Sequence, residues 1–481
     1  MIFNSFEFIF MFLPIVFVLY YVFNKINFTL SKVWLLASSL FFYSWWNPSY
    51  LPLILASLFA NFFIGSYLGK VTGIARKKVL LTIGIIFNVC LLGYFKYYDF
   101  FVSNLNWALG TNFNVLHLIL PLAISFYTFQ QIAYLVDSYR NETKEYNFLN
   151  YALFVSFFPQ LIAGPIVHHS QVMSQFDDKH NRKINYKNIG LGLFVFAVGL
   201  FKKVGIADTF AVWTNKGYSM YTDLTFVDSW MTSLAYTFQL YFDFSGYSDM
   251  AIGAGLLFNI VLPMNFNSPY KALNIQDFWR RWHITLSGFL TNYIYIPLGG
   301  NRKGRVRTYV NIMIIFLVSG FWHGAGWTFI VWGAMHGFAS VLNRLWTKAG
   351  FKMQKWLAWF ITFNFVNATW VFFRAPSFDV ALEVLKGMSG LKGIALPAEL
   401  SNYGFIQKFT NDFYQFPLHD GFMKPAIITL LGLIIAVFAK NSLELRDSLK
   451  PNWSYAIYVS VLLVYSVFQL QKVTEFLYFN F

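Results

Sequence analysis

Charge is scarce in this 481-residue chain: Asp, Glu, Lys and Arg make up 12% of it, about half the share of a soluble globular domain. Cysteine is scarcer still, a single Cys90 inside an apolar run, which excludes a disulfide framework and a cysteine-ligated metal cluster. That thiol reads as packing, with an acyl-cysteine intermediate as the alternative. A basic n-region is missing too, since Met1–Glu7 holds no Lys or Arg, so a cleavable signal peptide is not expected. Internal repeats, low-complexity tracts and a separable soluble domain are also lacking, and residues 1–481 read as one domain.

What is present is apolar. Hydrophobic residues make up 57% of the chain and aromatic residues 21%. Runs at Phe8–Phe23, Leu51–Leu68, Val79–Phe95, Ile427–Phe438 with its flanks and Tyr455–Leu470 approach the roughly 20 residues that cross a hydrocarbon core. Lipid leaves helices as the way to satisfy the backbone of such runs. The expected fold is all-α, a polytopic integral membrane protein of roughly a dozen helical segments.

The formal net charge of +15 suits cytoplasmic loops better than nucleic-acid binding, because Lys and Arg collect on the cytoplasmic side of membrane proteins. Lys25 and Lys32, then Lys70 and Arg76–Lys78, then Arg140 and Lys144 separate the early apolar runs. Leu118–Leu135 is read as the span returning to that last pair. Alternation places both termini outside. Two stretches break the alternation. Phe148–Val167, with Pro159, Ala163, Gly164 and Pro165, has basic residues on both sides, and Phe289–Leu298 is too short to span. Both are expected to be re-entrant, around an internal chamber.

Ionisable side chains inside such segments are costly, so each is a candidate functional group. His323 stands among Gly320, Gly324 and Gly326 in Phe321-Trp322-His323-Gly324, where small residues admit backbone or substrate. It is either a general base or a hydrogen-bonded core histidine. His283 lies in Phe278–Ser287, and His336 follows Met335 in a position read as structural. No Asp or Glu accompanies His323 or His336 at ligand spacing, so no metal is expected. Asp243 and Asp249 are read as struts paired to Arg280 or Lys202, or as part of a polar chamber. The stretch 271–307 holds seven Lys and Arg against Asp277. Its Arg280, Arg281, Arg302, Lys303, Arg305 and Arg307 fit either a polyphosphate ligand such as coenzyme A or simple cytoplasmic topology.

These motifs carry a resemblance. Phe242-Asp243-Phe244-Ser245-Gly246-Tyr247-Ser248-Asp249, Asn265–Tyr270, Phe278–Ser287, Leu298–Arg305 and Phe321–Gly324 resemble the membrane-bound O-acyltransferase family, closest to its bacterial alginate and peptidoglycan O-acetyltransferase branch. Leu120–Gln130, Phe157–Ile166, Trp370–Ala375 and Phe476–Phe481 resemble the same branch, with Ala123 standing where glycine is expected. The resemblance implies a helical funnel, His323 as the catalytic histidine and His283 as its polar companion. It also implies acetyl-CoA as cytoplasmic donor, a polysaccharide acceptor outside, and an extracytoplasmic acetyltransferase as partner. Two other readings remain. One is D-alanyl transfer from a carrier protein to teichoic acid. The other is a transporter, which predicts inverted repeats that the sequence does not show.

Overall fold

The computed structural model describes residues 1–143, 147–162, 164–407, 412–418, 421–449, 452–471 and 477. Lys144, Ala163 and, Leu477 apart, the terminal Phe476–Phe481 motif lie outside the described residues. A π-helical turn at Glu7–Phe12 leads into α1 (Leu13–Ile26), followed by α2 (Phe28–Ser44), α3 (Leu51–Leu68), α4 (Ile74–Leu92) and α5 (Tyr98–Leu109). Next come α6 (Ile124–Arg140), α7 (Phe148–Ser156), α8 (Phe158–Leu161) and α9 (His169–Asp177). A π-helical stretch at Lys202–Ala207 joins α10 (Tyr186–Phe201) to α11 (Asp208–Ser219), and α12 (Phe226–Leu257) runs 32 residues. Short α13 (Ile275–Arg281) and α14 (Ile284–Leu290) precede α15 (Arg305–His323), α16 (Trp327–Lys348) and α17 (Lys355–Arg374). The chain closes with α18 (Phe378–Met388), α19 (Gly404–Gln407), α20 (Met423–Phe438), α21 (Ser442–Asp447) and α22 (Trp453–Gln469). Among the described residues, the only strands are β1 (Leu396–Pro397) and β2 (Phe413–Tyr414), a parallel pair.

The protein is all-α and integral to the membrane. Six helical stretches among the described residues are long and apolar enough to cross: Glu7–Ile26, Pro48–Leu68, Ile74–Leu109, Tyr186–Ser219, Arg305–His323 and Lys355–Arg374. Two departures from the expected segments have local causes. Val79–Phe95 is the middle of a longer rod, because a π-helical turn at Gly93–Tyr97 continues α4 into α5. The expected span Leu118–Leu135 becomes helical only at Ile124, since Pro121 and the left-handed Ala123 (φ 61°) interrupt it.

By Cα packing the chain forms two compact units. One comprises residues 1–200, 247–265 and 446–471; the other comprises 201–246, 266–445 and 472–481. In the first, a buried amide network joins three helices. Ser57 donates to Gln131 Oε1 (2.7 Å), Asn61 to the same oxygen (3.0 Å), and Asn88 to Asn61 Oδ1 (2.6 Å). Such bonds hold helices together where lipid removes the hydrophobic drive.

The broken segment expected around Pro159 is present in this unit. α7 stops at Phe157 (ψ 113°), and its freed groups find other partners. Phe158 N–H donates to Ser39 Oγ (3.1 Å), and Gln160 Nε2 donates to the Phe154 carbonyl (2.5 Å). Residues 150–162 are all buried, the setting in which irregular backbone survives at membrane depth. In the second unit, α15 and α16 meet through glycines. A Cβ on Gly320 would lie 2.3 Å from the Phe329 carbonyl oxygen, and one on Gly333 2.3 Å from that of Phe316.

Candidate functional site

His323 is the last residue of α15, which ends where Gly324 takes an extended conformation (φ −158°, ψ 148°). The close α15–α16 crossing at Gly320 sets the imidazole against aromatic rings. Its centroid lies 4.9 Å from Trp322, 5.3 Å from Trp332 and 5.1 Å from Phe373. Only 5% of the residue is exposed. A histidine in such a cage is screened from bulk water, which strengthens any electrostatic contact it makes with a reacting group.

His283 links α13 to α14 with φ 44°, a left-handed conformation uncommon outside glycine, which Asn, Asp and His adopt more often than other residues. It is fully buried, edge-on to Phe244 at 4.8 Å, and its ring centroid is 6.3 Å from that of His323. The fold therefore brings together two histidines from separate motifs. A non-glycine residue held at positive φ stores strain that the surrounding packing must sustain, a feature that clusters at functional sites.

His336 has a different environment. Its Nδ1 accepts from Trp279 Nε1 (3.2 Å), which leaves the proton on Nε2 to donate to Thr369 Oγ1 (3.0 Å). Both ring nitrogens are engaged within the core, so its geometry is that of a structural cross-link. Asp243 pairs with neither Arg280 nor Lys202. Its partner is Lys203 Nζ at 2.6 Å, which also lies 2.7 Å from Asp208. One residue along a π-helical stretch decides which lysine turns inward. Asp249 is buried and belongs to the part of α12 in the first unit.

The cationic stretch divides by role. Arg280 lines a cavity of about 340 Å³ with Trp279, Ser287, Tyr295, Ser319 and Arg344. Arg344 reaches this cavity from a separate helix, α16, a placement that has no signal in local sequence spacing. Arg281 is committed to structure, donating through Nε to Asp277 (3.0 Å) and through Nη1 to the Asn267 carbonyl (3.3 Å). Arg302, Lys303, Arg305 and Arg307 are exposed around the start of α15.

Ile312, Phe316 and Ser319 line the same cavity. With His323 they recur at the three-to-four-residue spacing of one helical face. Trp279 on the cavity wall packs 5.8 Å from Trp332, which packs against His323. A largely apolar cavity with two guanidinium groups on its wall thus stands two aromatic rings from the histidine pair.

The sequence profile of the membrane-bound O-acyltransferase family matches residues 73–378. This chain belongs to that family. The acyltransferase is 49% identical, over its whole length and 98% of the relative's, to the peptidoglycan O-acetyltransferase of Helicobacter pylori. It is 42% identical to the "Probable alginate O-acetylase" of Azotobacter vinelandii over 81% of this chain and 78% of that one. It is 27% identical to the teichoic acid D-alanyltransferase of Streptococcus thermophilus, over 52% of this chain and 68% of the relative. The chain is an enzyme, a membrane O-acyltransferase.

Proposed function

We propose that this acyltransferase takes acetyl from acetyl-CoA at the cytoplasmic face of a bacterial inner membrane and delivers it to hydroxyls of an extracytoplasmic polysaccharide. Peptidoglycan is the first candidate acceptor and alginate the second, with transfer direct or through an extracytoplasmic acetyltransferase. The observation that carries the reading is the buried His283–His323 pair beside a cavity lined by Arg280 and Arg344. The order of acceptors follows the names of the two relatives. Both termini outside is the orientation that the alternation of basic loops supports.

Two arginines on the wall of one cavity suit the phosphates of coenzyme A, which guanidinium groups grip through paired N–H donors. The thioester supplies the activated acetyl group; the protein's task is to place it and manage one proton. His323 takes the proton from the acceptor hydroxyl while the oxygen forms the new ester bond. It returns that proton to the departing thiolate as the carbon–sulfur bond breaks. His283, on the facing side, donates an N–H to the carbonyl oxygen as negative charge develops there. The aromatic cage keeps water from competing as acceptor.

The test is acetyl transfer by the full-length protein in liposomes, with radiolabelled acetyl-CoA outside and an acceptor glycan within. His323→Ala is expected to lower turnover by about 10³-fold or more, given what general-base catalysis contributes. His283→Asn keeps a residue that tolerates the left-handed backbone and is expected to lose less. Undiminished transfer by a folded His323→Ala protein would overturn the assignment. Transfer supported by a D-alanyl carrier protein and not by acetyl-CoA would replace the donor.

A further inference from the structure

In the first unit, three side chains outside the histidine pair converge on one point. Asp137 is fully buried on the last turn of α6, His168 caps the start of α9, and His169 is that helix's first residue. His168 Nε2 and His169 Nδ1 each lie 2.9 Å from the same oxygen, Asp137 Oδ2. The two imidazole centroids are 4.3 Å apart, and one ligand atom from each residue lies within 4.8 Å of the others. Sequence reasoning about ligand spacing passes over this group. Two adjacent histidines supply one half of it, and the carboxylate comes from a different helix.

We propose that Asp137, His168 and His169 form a binding site for a divalent transition metal of the zinc class. Two imidazoles and a carboxylate are a donor set that zinc takes, leaving one position for water or another ligand. Zinc bonds of about 2.0–2.2 Å place tetrahedral ligand atoms about 3.3 Å apart. Opening each nitrogen–oxygen separation by about 0.4 Å brings those two pairs to that spacing, and all three ligand atoms are already within 4.8 Å of one another.

The surroundings meet two further requirements. On the far side of its ring, His168 Nδ1 accepts the Ser170 backbone N–H (3.3 Å) and lies 2.7 Å from Ser170 Oγ, outer contacts that hold the imidazole's orientation with Nε2 toward the site. Side-chain exposure rises from 0% at Asp137 to 8% at His169 and 31% at His168, which gives the ion an entry path and the open position access to solvent. A metal here would tie the end of α6 to the start of α9, on either side of the broken α7–α8 backbone. The site shares no residue with the proposed transfer chemistry.

The experiment is metal analysis of full-length protein carrying no polyhistidine tag, purified without chelator, dialysed against zinc and then against metal-free buffer. Near-stoichiometric zinc is expected in the wild type and in His323→Ala, and background zinc in the Asp137→Asn/His169→Ala double variant. Cobalt loading should give visible ligand-field absorption that the double variant lacks. The wild type gives a second readout if that variant fails to fold: chelation should lower its melting temperature and zinc should restore it. Folded wild-type protein that retains no zinc, shows no cobalt absorption and melts unchanged under chelator would overturn the proposal. The three groups would then be a hydrogen-bonded strut, each ring donating its N–H to Asp137.

Discussion

Lys203 holds Asp243 at 2.6 Å inside the second unit, with both side chains about 2% exposed, and it holds Asp208 at 2.7 Å with the same ammonium group. One cation between two carboxylates is tolerable at that depth because each charge has a partner; removing one partner leaves another uncompensated. Lys203→Met is therefore expected to cost about 3–5 kcal/mol, read as a lower melting temperature of detergent-solubilised protein. Adding Asp243→Asn should recover part of the loss by removing a buried charge. An unchanged melting temperature in Lys203→Met would mean that the trio contributes nothing to stability.

The trio also marks where sequence reading reached its limit. Apolar length alone located α3 at Leu51–Leu68 to the residue, since nothing but a helix satisfies eighteen such backbones in lipid. Pro159 announced the broken α7–α8 segment because it removes a donor that the helix needs. Charge partners were not legible in the same way. Lys202 and Lys203 are adjacent, and a π-helical stretch turns the second toward Asp243 while Lys202 Nζ approaches Ser442 Oγ (3.4 Å). His323 and His283 were visible as motifs. Their meeting depends on helix packing in three dimensions, as do the place of Arg344 and the gathering of Asp137, His168 and His169.

Gly320 and Gly333 let α15 and α16 approach so closely that either Cβ would press on a backbone oxygen. Backbone cannot swing aside as a long side chain does. Gly333→Ala is expected to cost about 1–3 kcal/mol as an overpacked contact. Gly320→Ala should also depress turnover, because it lies one helical turn from His323 and displaces it. Melting curves and initial rates together separate the two effects. Wild-type values for both in Gly320→Ala would show that the crossing has slack.

Ala123 occupies a left-handed conformation (φ 61°, ψ 11°) at the start of α6, where the family resemblance had led to glycine. An L-residue there suffers a clash between Cβ and backbone that glycine avoids. Ala123→Gly is expected to stabilise the protein by about 0.5–1 kcal/mol, the clash relieved exceeding the entropy that glycine loses on folding. The reverse change at Gly110, also left-handed at φ 64°, should destabilise. Thermal unfolding of the pair supplies the comparison, and a lower melting temperature in Ala123→Gly would show that the strain is relieved elsewhere.

The cavity arginines give the sharpest division among the basic side chains. Arg280 and Arg344 line the same walls as Ser319, whereas Arg281 is tied to Asp277 and the Asn267 carbonyl. If the cavity holds the phosphates of the donor, these contacts are made equally in ground state and transition state, so their loss raises KM and spares kcat. A charge-assisted hydrogen bond contributes about 1.5–3 kcal/mol, which corresponds to a rise in KM for acetyl-CoA of about 10- to 100-fold for Arg280→Ala or Arg344→Ala. Arg281→Ala should instead lower the melting temperature with KM little changed. The exposed Arg302, Lys303 and Arg305 should each contribute less than tenfold, and less at high salt, because solvent screens them. Steady-state kinetics across the set, at low and high ionic strength, decides the matter. A large KM effect confined to the exposed cluster would move the donor site from the cavity to the turn before α15.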